Sequence, residues 1–580
     1  MKKMNAVLAL GAIGVGLVGC GGNDDPVVAQ ALSCAAAAGT IAANNPVAGT
    51  TLRILKTEEQ AATETVKANC LVEAAMNERI GTVDGRPYAI KFRLRMPLPA
   101  DWNGKFFMEG GGGSNGVFSQ ALGAHSPGSG TNAYSRGYAV ISTDSGHDNA
   151  VTADPNAGGD SAFGRDPQAR VDFGYNSYDV AARAAKAIVG AYYGQKPAHS
   201  YFMGCSEGGR EAQTISQRFP TIFDGISAGA PPMRQPYMAT YSPHLAQTLA
   251  PLAVAAGYVD ANNRPALNKI YTDADIQLVS KAIVEACDGL DGLADGMSNN
   301  RAACTDAVVV PKLTALTCKA GKTADCLTAD QIAAMRKAYG GPKTSTGLQL
   351  YPNQVWDPGI GGMNGGVFNA GFRVWWFGSY GATVNDAIKL SISGRGHMLV
   401  WQTPPVLGLT VAQYLDYALT YNLDDTEANM NRKTAIYTTS PIEYGRADSS
   451  DLSGFKQNGG KLLVWIGNAD PAVGVNETIE WYDRVNQQQG GKAADFARLF
   501  TVPGMNHCAG GPSTDKFDML TALENWVERG EAPDSIPAEA SKPGYFGVAS
   551  RTRPLCPYPT YAQYKGSGDI NVAANFACKS

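Results

Sequence analysis

Apolar and polar positions alternate in several short runs from about residue 80 onward. "YAIKFRLRMP" (88–97) is a strand pattern, "GKFFMEGGGG" (104–113) is a strand running into a glycine loop, and "YAVISTDSG" (138–146) is a further strand. The period then changes. "YDVAARAAKAIVGAYYG" (178–194) is rich in strong helix formers, with Val180, Ala184, Ala187, Ile188 and Ala191 on one face and Gly194 placed to end it. The strand "SYFM" (200–203) follows, and strand-helix alternation returns late in the chain at "GKLLVWIGNADPAVG" and "FARLFTVPGMNHCAGG". The helix after these carries Met519, Leu520, Leu523, Trp526 and Val527 at helical spacing.

Residues 233–446 interrupt this rhythm with long loops, four cysteines, acidic turns and a tryptophan-rich patch. The pattern predicts an α/β fold: a doubly wound, mostly parallel sheet built from residues 31–232 and 447–580, with 233–446 inserted as a large lid. A length of 580 residues suits a large core with such an insertion.

The formal net charge is −4 with no cluster of lysine or arginine, which excludes a nucleic-acid footprint and points to a small-molecule partner. Met1, Lys2 and Lys3 precede an apolar stretch too short to span a bilayer, so residues 1–20 are expected to be an export signal. "LVGC" closes the stretch and resembles a bacterial lipobox, which would make Cys20 a lipidated mature N-terminus and 21–30 a flexible tether. An ordinary signal with a chance cysteine is the alternative. The expectation is an exported protein, either an outer-membrane lipoprotein or a periplasmic or secreted one, monomeric and touching a membrane only through its anchor. Setting Cys20 aside leaves ten of the eleven cysteines, an even number suited to disulfides in an oxidising compartment.

Three G-x-S-x-G matches compete for a nucleophile, centred on Ser114, Ser206 and Ser227. A nucleophile elbow needs a strand before the serine and a helix after it, so that the hydroxyl projects above the sheet and the helix N-terminus faces the reacting oxygen. Ser114 lies in a glycine loop with no helix-forming run behind it, and Pro231 and Pro232 follow Ser227 too closely. Only Ser206 has both flanks. In an α/β-hydrolase the acid and then the histidine follow the serine along the chain. Of the histidines after Ser206, only His507 falls outside the insertion, in a loop behind the last strand. Asp470 ends the apolar strand "LLVWIGNAD" and is the expected acid; Asp288 and Asp295 are rivals in an acidic loop. The expected oxyanion donors are the backbone N–H groups of Glu207 and Gly111. Cys205 adjoins Ser206 and Cys508 adjoins His507, so a Cys205–Cys508 bridge would hold nucleophile and base together, though each cysteine could pair elsewhere.

The Gly-Cys-Ser-Glu-Gly elbow, the His-Cys pair and the cysteine-rich insertion resemble the tannase and feruloyl esterase family, over nearly the whole mature chain. The resemblance implies a serine carboxylic ester hydrolase acting on an aromatic ester through an acyl-enzyme. A terephthalate monoester is the favoured substrate, and hydroxycinnamate or gallate esters are the alternative. It also implies pairings of Cys205 with Cys508, Cys34 with Cys70, Cys287 with Cys304, Cys318 with Cys326, and Cys556 with Cys578, and a structural calcium in the lid. "CDGLDGLADGM" supports the calcium separately, because Asp288, Asp291 and Asp295 with the carbonyls of Leu293 and Met297 offer hard oxygen ligands, although not at EF-hand spacing. Trp375 is expected to form an aromatic wall and Lys389 to meet a distal carboxylate as a point charge without an arginine's fork. Ser393 would instead favour a phenolic hydroxyl. From a different class, a surface-anchored binding protein with a degenerate hydrolase fold would fit the same export signals.

Overall fold

The computed structural model describes residues 31–124, 131–362 and 371–580. The expected signal, the tether and Cys20 lie outside these residues.

Nine strands form one sheet: β1 (Leu52–Gln60), β2 (Asn69–Ile80), β3 (Pro87–Pro97), β4 (Lys105–Glu109), β5 (Ala139–Thr143), β6 (His199–Cys205), β7 (Gly225–Gly229), β8 (Lys461–Gly467) and β9 (Ala497–Val502). Their spatial order is β1-β2-β3-β5-β4-β6-β7-β8-β9. Pairing is parallel from β5 through β9 and antiparallel among β1, β2, β3 and β5. This is the α/β-hydrolase arrangement expected from the alternating pattern. β1 and β2 precede the region where that pattern is legible, and β1 ends in the polar "TEEQ" on an exposed edge.

The strands at the centre bury both faces, as parallel sheets covered by helices do. On β8, Leu462, Val464 and Ile466 enter one core while Leu463 and Trp465 enter the other. Successive side chains point to opposite faces, so one apolar run feeds both. The helix Ser177–Tyr193 covers the first face, and the amphipathic helix Met519–Arg529 covers the second with Leu520, Leu523 and Trp526.

Between β7 and β8 the chain leaves the sheet to build a lid that includes the helices Tyr241–Ala255, Asp273–Cys287, Ala329–Tyr339 and Ile388–Leu399. Its two ends meet where Arg234 and Arg446 form an isolated antiparallel bridge and the Ala447 N–H donates to the Met233 carbonyl. The lid therefore returns to its starting point, above the C-terminal ends of β7 and β8. All five disulfides are present with the pairing the resemblance implies.

Candidate active site

Ser206 sits between β6 and the helix Glu207–Arg218 with φ +63° and ψ −124°, a backbone conformation that a non-glycine residue adopts only under constraint. Here the constraint is close packing of backbone on backbone. A Cβ on Gly204 would stand 2.7 Å from the Gly208 backbone, and one on Gly208 would stand 2.9 Å from the Gly111 carbonyl oxygen. The glycines on either side of Ser206 allow the turn to be this tight.

His507 reaches Ser206 from the loop after β9. Its Nε2 is 2.8 Å from Ser206 Oγ, and its Nδ1 is 2.8 Å and 3.0 Å from the two Asp470 oxygens. Asp470, just past β8, also accepts the N–H groups of Ala472 and Val473 at 2.8 Å and 2.9 Å. His507 and Asp470 are fully buried. Cys205 and Cys508 are bonded directly beside this line. Among the described residues the rival serines have no such partners: Ser227 is buried inside β7 with its hydroxyl unpaired, and Ser114 lies in the glycine loop. His244 contacts the Lys337 carbonyl and His397 contacts Tyr417, both within the lid.

The lid packs directly on this site. Trp375 meets His507 edge to face, with ring centroids 4.9 Å apart, and the neighbouring Trp376 donates its indole N–H to the Pro471 carbonyl at 2.7 Å. A cavity opens above Ser206, walled by Trp375, Phe163, Phe173 and Met238, with Gln235, Ser393 and Val473 among its other residues. The Trp375 indole N–H and the Gln235 Oε1 are buried without hydrogen-bond partners among the described residues.

Two expected residues are placed differently. Lys389 does not line the cavity. It is completely buried behind the wall, with its ammonium donating to the Ala472 carbonyl and lying 4.9 Å from the Tyr241 ring centroid. Burial lowers its pKa to about 7, against the opposing pull of Asp470 and Glu477. A distal carboxylate in the cavity therefore does not meet this cation. Gly111 likewise is not positioned as an oxyanion donor, because its N–H donates to Glu211 Oε2 at 3.1 Å. The amides of Glu207, Gly112 and Gly113 have no acceptor among the described residues, and Gly113 and Glu207 line the cavity with Ser206.

Beneath the elbow lies a buried polar cluster that sequence reasoning missed. Arg210 pairs with Glu207 and also donates to the Phe173 and Gly174 carbonyls and to the Tyr178 hydroxyl. Burial, then repulsion from Glu207, pushes the Glu211 carboxyl up to about 8. The available signal was the helix "EGGREAQTISQR" itself, which lacks a continuous apolar stripe although most of its length is buried.

In the acidic lid loop, Asp288 accepts the N–H groups of Asp295 and Gly296, and Asp291 accepts those of Leu293 and Asn299. Asp295 forms a buried pair with Arg553. Among the described residues no three His, Cys, Asp or Glu side chains converge into a metal cage. The oxygen-only donor set at Asp288 and Asp291 fits a hard divalent cation in its chemistry, while Arg553 already balances Asp295.

A sequence model described as tannase and feruloyl esterase matches residues 73–579. The mono(2-hydroxyethyl) terephthalate hydrolase of Piscinibacter sakaiensis is 48% identical over 518 residues, covering 88% of this chain and 84% of that protein. A probable feruloyl esterase of Arthroderma benhamiae is 31% identical over 502 residues, covering 83% and 81% respectively. In overall fold the chain is similar to the crystal structure of feruloyl esterase B from Aspergillus oryzae, with a TM-score of 0.69 and 21% identity, covering 94% of this chain and 100% of that one.

Proposed function

This chain belongs to the tannase and feruloyl esterase family and is a serine ester hydrolase, and we propose that it cleaves an aromatic carboxylic ester with Ser206, His507 and Asp470 as its triad. The observation that carries this reading is the unbroken hydrogen-bonded line from Ser206 Oγ through His507 to Asp470. Ser206 Oγ attacks the ester carbonyl carbon as His507 Nε2 takes its proton. Asp470 holds the imidazole by Nδ1 and stabilises its protonated form. The negative oxygen of the tetrahedral species is met by the N–H of Glu207, aided by the N-terminus of its helix, and by the N–H of Gly113. Collapse expels the alcohol, which takes the proton from His507. Water, deprotonated by the same Nε2, then attacks the acyl-enzyme; the acid leaves and Ser206 regains its proton.

The favoured substrate is mono(2-hydroxyethyl) terephthalate, split to terephthalate and ethylene glycol. Its support is the 48% identity to a hydrolase of that ester and an aromatic wall able to hold a benzene ring. With Lys389 behind the wall, the donors that the cavity lining offers a distal carboxylate are neutral and include the Ser393 hydroxyl and the Gln235 side-chain amide. The polar Ser393 and Gln235 in the cavity lining also support a second reading, hydroxycinnamate or gallate esters, whose phenolic hydroxyls such groups would hydrogen-bond. Turnover of mono(2-hydroxyethyl) terephthalate, methyl ferulate and methyl gallate by one preparation decides between them. A higher kcat/KM for the terephthalate ester supports the first reading, and a higher value for either phenolic ester replaces it with the second.

We also infer that calcium binds the 288–297 loop through Asp288, Asp291, Asp295 and the carbonyls of Leu293 and Met297, where it would hold the lid without entering the reaction. We propose export with lipidation at Cys20. Five disulfides support an oxidising compartment, and among the described residues no helix is long and apolar enough to cross a membrane.

A further inference from the structure

The cluster beneath the elbow contains a carboxylate that the reaction above does not use. Glu211 lies on the same helix as Glu207 and is completely buried. Its Oε2 accepts the Gly111 N–H at 3.1 Å, and its Oε1 accepts Asn115 Nδ2 at 2.7 Å. Asn115 also donates from Nδ2 to Ser145 Oγ and from its backbone N–H to the Gly112 carbonyl. The Gly208 N–H donates to the Gly111 carbonyl at 3.1 Å. The glycine loop is thus fastened to the helix that begins at the nucleophile, and two of its fastenings end on one carboxylate.

Four consecutive glycines, residues 110–113, leave this loop the greatest backbone freedom a chain can have. No side chain within it can set which way its amides face. A carboxyl group in a dry interior is costly unless hydrogen-bonded, and filling space alone would be better done by an apolar residue. What the carboxyl adds is a pair of acceptor oxygens. They hold the Gly111 N–H toward the helix, while the next amides, of Gly112 and Gly113, have no acceptor among the described residues and Gly113 borders the cavity.

We propose that Glu211 is a positioning residue for the oxyanion site: it sets the amide orientation of the 110–113 loop through Gly111 and Asn115 and touches no substrate. This rests on the reading of Ser206 as the nucleophile. Glu211→Ala, Glu211→Gln and Asn115→Ala, with Ser206→Ala as control, are assayed on a p-nitrophenyl ester and for inhibition by an arylboronic acid. The boronate forms a tetrahedral, negatively charged adduct on Ser206 and so reports the oxyanion site directly. Glu211→Ala is expected to lower kcat about 100-fold with KM within about threefold, and to weaken the boronic acid in proportion to kcat/KM. Glu211→Gln keeps an acceptor for Gly111, and its amide can donate to the unpaired Asn115 Oδ1, so it should recover to within about tenfold of the parent. If Glu211→Ala does not fold, Asn115→Ala decides, with an expected loss of about tenfold in both readouts. Unchanged kcat, or a loss of kcat with boronic acid affinity intact, overturns the proposal. Activity surviving in Ser206→Ala overturns the nucleophile assignment instead; a dead Ser206→Ala beside a fully active Glu211→Ala overturns only the role of Glu211.

Discussion

Ser206 and His507 share a 2.8 Å hydrogen bond across 301 residues of chain, and the residues beside them, Cys205 and Cys508, are joined covalently. Ser206 and His507 come from opposite sides of the lid insertion, so their alignment would otherwise depend on packing between distant segments. The disulfide replaces that dependence with a covalent tether one residue from each group.

Replacing both cysteines by serine is therefore expected to affect stability and chemistry together. In the chain-entropy model a bridge closing so long a loop contributes on the order of 5 kcal/mol. The double variant should melt many degrees lower, and at a temperature where it remains folded its kcat should fall at least about tenfold, because small misplacements of reacting groups are costly. Thermal unfolding and steady-state kinetics of parent and variant check both.

Gly208→Ala tests the packing that shapes the elbow. The new Cβ would stand 2.9 Å from the Gly111 oxygen and 3.0 Å from the Gly110 backbone, so the glycine loop must move. Far-UV circular dichroism should be unchanged while kcat falls about 100-fold, the scale of a lost oxyanion donor.

Much of this site was legible in the chain. Ser206 was separable from Ser114 and Ser227 because an elbow requires a strand and a helix around it, and those leave different residue patterns. His507 and Asp470 followed from chain order and from their places after apolar strands. Gly111 was misplaced because consecutive glycines carry no side-chain information about where each amide points; its N–H is taken by Glu211, on another element. Lys389 was misplaced because its direction is set by packing around Tyr241 in the lid and Ala472 in the core, which no local pattern encodes. Trp375 on His507 and Trp376 on Pro471 are contacts of the same tertiary origin.

Lys389 behind the wall makes a pH-dependent prediction. Its pKa is about 7 in the fold against an ordinary 10.5, so between these values the unfolded chain binds more protons and stability rises with pH. Lys389→Met should remove that contribution: the stability difference between parent and variant should change across pH 7 to 10 with a slope of up to about 1.4 kcal/mol per pH unit, the variant gaining most at the acid end. Urea unfolding at several pH values measures it. The preference between terephthalate and ferulate esters should not change, since the ammonium does not line the cavity.

Calcium at the 288–297 loop predicts a chelator-sensitive fold. EDTA should lower the melting temperature by several degrees, calcium should restore it, and Asp291→Asn should abolish the difference, in line with mass-action stabilisation by a bound ion. No change on chelation would remove calcium from the account.

The central claim, that Ser206 carries the acyl group, is tested most directly by mass spectrometry of protein quenched in acid during turnover of an aromatic ester. The account predicts an acyl adduct on the peptide containing Ser206, formed within the first turnover and absent in Ser206→Ala. An adduct on another residue, or ester hydrolysis undiminished in Ser206→Ala, would contradict it.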